Sequence, residues 1–162
     1  MDLAALSETE LQFKVERLLA EYAHCIDDDQ LESWPDFFFD DCVYKVSARE
    51  NVERNMPVAA IFCDSKGMLA DRIISLRHAN VYERHRYRHV VSSTLISDVS
   101  DTSLKARSNY IVCRTRINGV TEIFSAGTYD DKIVVVEDQL LFQERIVVYD
   151  TDRIDTLLVT PI

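Results

Sequence analysis

Residues 103–130 read SLKARSNYIVCRTRINGVTEIFSAGTYD. Their period is two, the mark of a strand, and Asn118-Gly119 falls between two such runs. That dipeptide is the sequence of a type I′ hairpin, in which both central positions need positive φ. The same period holds on either side. Residues 87–98, 103–116, 120–130, 132–136 and 140–149 are each rich in β-branched and aromatic side chains and read as strands. Asp130-Asp131 and Glu137-Asp138-Gln139 read as further reversals, so the second half of the chain is expected to be an antiparallel sheet.

The first half has a different period. Ser7 followed by Glu10 is a capping-box pattern, and behind it Leu11, Val15, Leu18, Leu19, Tyr22 and Ile26 recur at helical spacing, which predicts an amphipathic helix over 8–27. Asp27-Asp28-Asp29 ends that stripe. A short second helix through Leu31, Trp34 and Phe37 or Phe38 is expected next, with Pro35 early in it where its missing N–H costs little, and then a strand over Cys42 to Ser47. Residues 48–56 read as a polar excursion, and the apolar run Pro57 to Cys63 suits a strand. Asp64 or Ser65 can cap a third helix that buries Met68, Leu69, Ile73 and Leu76, turns Asp71, Arg72 and Arg77 to water or a neighbour, and ends near Asn80. Helices first and a long meander afterwards indicate a single α+β domain over 1–162, with a curved, mainly antiparallel sheet wrapped on N-terminal helices.

Composition narrows the functions available. The chain is 47% hydrophobic and 28% charged, and no stretch approaches the roughly 20 apolar residues of a membrane helix. Residues 1–10 lack the basic and apolar regions of a signal peptide, so a cytoplasmic location is expected. A formal charge of −10 repels phosphate backbones and anionic bilayers, which argues against nucleic acid and membrane partners. Cys25, Cys42, Cys63 and Cys113 are far apart with no Cys-x-x-Cys pair, and read as reduced, mostly buried thiols.

Motifs for cofactor chemistry are missing. Three glycines (Gly67, Gly119, Gly127) form neither a phosphate loop nor a nucleophile elbow. His85 and His89 are four apart with Glu83 nearby, but residues 82–89 lead into a strand, where that spacing separates side chains by about 13 Å. Arg84, Arg86 and Arg88 among them would repel a cation, so no metal site is expected. The same Tyr- and Arg-rich segment, Tyr82 to His89, suits an acidic protein surface better than stacked bases in so acidic a chain. Asp27 and His89 are the candidates for a general acid/base pair, with Tyr22 able to join them. The plainer alternative packs Tyr22 in the core, leaves Asp27 as a helix end and makes His89 a satisfied sheet residue. Trp34, Phe37, Phe38 and Phe39 read as core.

Tyr22-Ala-His-Cys-Ile-Asp27, Trp34-Pro-Asp-Phe-Phe38 and Asp41-Cys-Val-Tyr44 resemble the opening of cone-shaped domains of the nuclear-transport-factor-2-like, or cystatin-like, class. That class alone implies no function. Asp71-Arg-Ile, Tyr82-Glu-Arg-His-Arg-Tyr-Arg-His89, Val90-Val-Ser-Ser, Gly127-Thr-Tyr and Gln143-Glu-Arg together resemble the β subunits of Rieske non-haem iron aromatic-ring-hydroxylating dioxygenases, most closely the branch acting on terephthalate, anthranilate, benzoate and salicylate. The resemblance implies an α3β3 assembly in which a separate α subunit holds a Rieske [2Fe–2S] cluster and a mononuclear non-haem Fe(II). Electrons from NAD(P)H would arrive through a reductase, in some members by way of a ferredoxin. It implies no catalytic residue and no cofactor in this chain, and a role in assembly through contacts with α or with neighbouring β subunits. The residues expected at those contacts are Tyr82, Arg84, His85, Arg86 and Arg88, with Leu157 and Ile162 of the apolar C-terminal segment. If the chain instead worked alone as a dehydratase or isomerase in its cone pocket, Tyr22, Asp27 and His89 would do the chemistry.

Overall fold

The computed structural model describes residues 1–151, 154 and 158–162. Helix α1 spans Glu8–Asp27, as the spacing predicts, and its capping box is formed: the Glu10 N–H donates to Ser7 Oγ at 3.3 Å and the Ser7 N–H donates to Glu10 Oε2 at 3.0 Å. Ser7→Ala removes the first of these bonds and is expected to lower stability by about 1 kcal/mol in urea unfolding. A shift indistinguishable from zero would show that Glu10 alone holds the helix start. A seven-residue 3-10 helix, Leu31–Phe37, follows, with Pro35 well inside it rather than at its start. The looser 3-10 ladder tolerates a missing donor there. Trp34 and Phe38 enter the core, while Phe37 and Phe39 are only half-buried. Tyr22 meets Phe38 and Phe142 edge to face, and Trp34 meets Phe38 and Tyr44 in the same way, with centroids 5.1–6.2 Å apart.

Strand β1 (Phe38–Ala48) is longer than expected at both ends, and β2 (Ile61–Cys63) is much shorter. The polar excursion between them contains a one-turn helix, α2 (Arg49–Glu53). Helix α3 (Lys66–His78) starts on Ser65, whose Oγ accepts from the Met68 N–H. Leu69, Ile73 and Leu76 are buried, but Met68 is exposed, and Arg72 turns inward to donate to the carbonyl of Leu158 at 2.7 Å. Four long strands complete the sheet: β3 (His85–Ser97), β4 (Ser103–Arg116), β5 (Thr121–Val136) and β6 (Gln139–Tyr149).

The six strands form one sheet in the order β2-β1-β6-β5-β4-β3. All neighbours are antiparallel except β1 and β6, which run parallel because the chain returns to β1 only after the meander is complete. Extra residues break the register in β1, β3, β5 and β6, and such bulges bend a sheet, here into a cone closed by α1 and α3. Gly127 permits the tightest approach within it, since a Cβ there would lie 1.9 Å from the Val148 carbonyl oxygen.

Two turn assignments change. In the Asn118-Gly119 reversal, positive φ is confined to Gly119 (83°), and the Gly119 N–H bonds the Arg116 carbonyl while the Arg116 N–H bonds that of Val120. This is a three-residue loop closed by a glycine bulge, not the type I′ turn. Both central residues of the β5–β6 reversal, Glu137 (48°) and Asp138 (64°), have positive φ, so that turn carries the I′ geometry. Asp130-Asp131 is no reversal at all, because β5 runs straight through it. Asp131 shares its face with Tyr129 and Ile133 and points into the core, where its carboxylate pairs with Arg145 of β6, Nη1 to Oδ2 3.2 Å, both side chains fully buried. The guanidinium lies 3.9–4.4 Å from the ring centroids of Tyr22, Tyr129 and Phe142.

One sheet edge is the three-residue β2 and the other the thirteen-residue β3. Helix α1 lies along the second. Asp27 accepts the backbone N–H of His89 at 2.9 Å, and Gln12 Nε2 donates to the carbonyl of Thr94 at 3.1 Å.

Candidate functional site

Asp27 and His89 are brought together. Asp27 is the last residue of α1, and His89 stands on the inward face of β3 with Tyr87 and Val91. The two carboxylate oxygens divide the histidine: Oδ2 takes its backbone N–H, and Oδ1 lies 2.6 Å from ring Nδ1. A carboxylate only accepts, so Nδ1 carries a proton. The pair borders a cleft of about 400 Å³ between α1 and β3, whose walls include Ala20, Ala23, His24 and Ser93. The His89 side chain is wholly buried, however, and Nε2 is shielded from solvent. A general base must reach the proton that it removes. What the geometry achieves is a clamp between the end of the helix and the edge strand. Tyr22 does not join it. Five residues apart on a helix is about 140° around the axis, and the Tyr22 hydroxyl points into the core, 3.3 Å from the main-chain oxygen of Ile162.

The residues expected at subunit contacts divide in three. Tyr82, Arg84, Arg86 and Arg88 are exposed. Arg88 lies 3.8 Å from the carboxylates of Asp27 and Asp28, whereas among the described residues neither Arg84 nor Arg86 has an ionic partner. His85 is half-buried, with Nδ1 2.8 Å from the Glu83 carbonyl and its ring over Tyr87. Ile162 is not a surface residue of this chain: it is fully buried, and Tyr44 both donates to its main-chain oxygen at 2.9 Å and accepts its N–H at 3.1 Å. The apolar segment from Leu158 onward thus packs into its own domain, where Tyr44 and Arg72 can satisfy its backbone. Leu157 lies outside the described residues.

Sequence reasoning missed a further group of exposed apolar residues on the same sheet. Val90, Ile111 and Ile123 are exposed on the outer face of β3, β4 and β5, where Val90 pairs with Ile111 and Cys113 with Ile123. Ile117 and Val120 at the β4–β5 turn are also exposed. An exposed apolar patch beside arginines is a feature that protein contact surfaces share. The alternating pattern hid this one, because each of these residues lies on the phase opposite to the core-facing positions.

Among the described residues no three His, Cys, Asp or Glu side chains are grouped to hold a metal ion. All four cysteines are free thiols, Cys113 being only half-buried. Burial pushes Cys25 and Cys42 up to about 11, the wrong direction for a nucleophile or a metal ligand. No helix of the described residues is long and apolar enough to cross a membrane.

Helices on a curved, mixed sheet of six strands define the nuclear-transport-factor-2-like cone. Residues 21–156 match the family described as ring hydroxylating beta subunit. The chain is 42% identical over 150 residues to the small subunit of anthranilate 1,2-dioxygenase from Burkholderia cepacia, covering 93% of each. It is 41% identical over 143 residues to a β subunit of the terminal oxygenase component of terephthalate 1,2-dioxygenase from Comamonas sp, covering 88% of this chain and 93% of that one. A crystal structure of the β subunit of a candidate aromatic-ring-hydroxylating dioxygenase from Novosphingobium aromaticivorans superposes with a TM-score of 0.88 at 44% identity, over 95% of this chain and 98% of that one. The chain therefore belongs to the ring-hydroxylating dioxygenase β subunit family, and it is the small subunit of a dioxygenase rather than a free-standing dehydratase.

Proposed function

We propose that this chain is the assembly subunit of an α3β3 terminal oxygenase that hydroxylates an aromatic carboxylate in the cytoplasm. The observation that carries this reading is the likeness to two small subunits whose oxygenases act, by their names, on anthranilate and terephthalate, both aromatic carboxylates. In this reading the α subunit holds the Rieske [2Fe–2S] cluster and the mononuclear Fe(II), and a reductase, with a ferredoxin in some systems, delivers electrons from NAD(P)H. The single domain contributes shape and contact surface. Its candidate contacts are Arg84 and Arg86, which have no ionic partner among the described residues, with Tyr82, and the exposed apolar face through Val90, Ile111 and Ile123.

Co-expression with the cognate large subunit tests the proposal. The isolated chain is expected to be colourless, free of iron and inactive. The pair is expected to co-purify as a coloured complex, and Arg84→Glu with Arg86→Glu should weaken association by about tenfold or more, 1.4 kcal/mol, through charge reversal at the contact. The thermal unfolding of the isolated chain should not change. Iron-dependent oxygenation by the isolated chain would refute the assembly role, and undiminished co-purification of the double variant would remove the arginines from the contact.

A further inference from the structure

We infer that the interior of the cone is a binding site for ordered water, held between Arg145, Asp131, Tyr129 and Ser108. The four side chains come from three adjacent strands and face inward together: Ser108 of β4 pairs in register with Tyr129 of β5, and Asp131 of β5 with Arg145 of β6. All are buried to within a few per cent. Asp131 engages Arg145 through Nη1 alone. Among the described residues Arg145 Nε and Nη2, the parallel donors that ordinarily grip an acceptor side-on, have no partner at hydrogen-bond distance, and the same holds for Asp131 Oδ1, Tyr129 Oη and Ser108 Oγ.

The chemistry of these atoms selects the ligand. Two are donors, one is an acceptor, and two are hydroxyls that can act as either. A water molecule, with two hydrogens to give and two lone pairs to receive them, complements that mixture. A small anion would satisfy the guanidinium but could give nothing to Asp131, and it would add negative charge beside a carboxylate that already neutralises the arginine. Water also asks the least room of the candidates, and bridging otherwise unsatisfied buried groups is its usual place in a protein core.

The whole chain crystallised with bromide in place of chloride, and solved at atomic resolution, tests this. The expected result is a water oxygen within hydrogen-bond distance of Arg145 Nε or Nη2 and of at least one of Asp131 Oδ1, Tyr129 Oη and Ser108 Oγ. An anomalous bromide peak at the guanidinium, or density for neither species, overturns the proposal. In solution, magnetisation transfer from water to the Arg145 Nε–H is expected, and Tyr129→Phe should reduce it by about twofold by removing one bridging partner. Tyr129→Phe keeps the ring that stacks on Tyr110, so the fold survives the test. No transfer in the parent chain, or transfer unchanged in the variant, overturns the site as stated.

Discussion

Replacing Asp131 by Ala is expected to lower the unfolding free energy by about 3–5 kcal/mol, because it strands the Arg145 guanidinium in the core without its counter-ion. The carboxylate is the arginine's only ionic partner among the described residues, and three aromatic rings pack against the cation. The pair is not itself a large source of stability. Burial pushes the Asp131 carboxyl up against the opposing pull of Arg145, which shows that leaving water is costly for the carboxylate. Asp131→Leu combined with Arg145→Met should therefore lie within about 1 kcal/mol of the parent, or above it, while either single change is severe. Urea unfolding of the four proteins closes the cycle. A loss under 1 kcal/mol for Asp131→Ala would mean that the guanidinium finds another anion or reaches solvent, and the account of a sealed pair would fail.

Gly127→Ala should cost about 3 kcal/mol or more, at the top of the range for an overfilled core. The added methyl would lie 1.9 Å from the Val148 carbonyl oxygen and 2.9 Å from the Tyr149 Cα. Both are main-chain atoms of the neighbouring strand, so no side chain can swing aside, and β5 must part from β6 beside the parallel pairing to β1. Gly67→Ala provides the contrast. It falls in the first turn of α3 with Ser65 Oγ 3.9 Å away as its nearest neighbour, so it should gain about 0.5–1 kcal/mol through helix propensity. Thermal unfolding that ranks the two variants the other way would contradict the placement of Gly127 at the closest point of the sheet.

How far the residues announced this structure depends on the range of the interaction that decides each feature. Helix α1 was legible to the residue because a local cap and a 3.6-residue period set both of its ends. The strands were legible because alternation is local too. The Asp130-Asp131 misreading shows where that ends: two acids look like a turn until Arg145 is known to stand opposite, and that pairing spans strands. The in-phase positions of Tyr129, Asp131 and Ile133 were a usable signal. Pairing of β1 with β6, and the return of Ile162 to the hydroxyl of Tyr44, join residues more than a hundred positions apart, and no local pattern encodes them. Asp27 and His89 could be nominated together from their residue types, but that the carboxylate would seize both the ring and the backbone of the histidine could not be read. The proposed contact surface was only partly visible in the sequence. Arginine and tyrosine stood out in the string, while the isoleucines and valine beside them look like any strand residues until the outer face of the sheet is assembled.

The carboxylate of Asp27 and the amide of Gln12, resting on the backbone of β3, bear on how this polypeptide survives its own synthesis. A long unprotected sheet margin is where nascent chains stick to one another and begin fibrils. The guarding helix leaves the ribosome well before the strand that it shelters, so the shield is ready when the hazard emerges. A subunit made apart from its partner can then wait in solution without recruiting its own siblings.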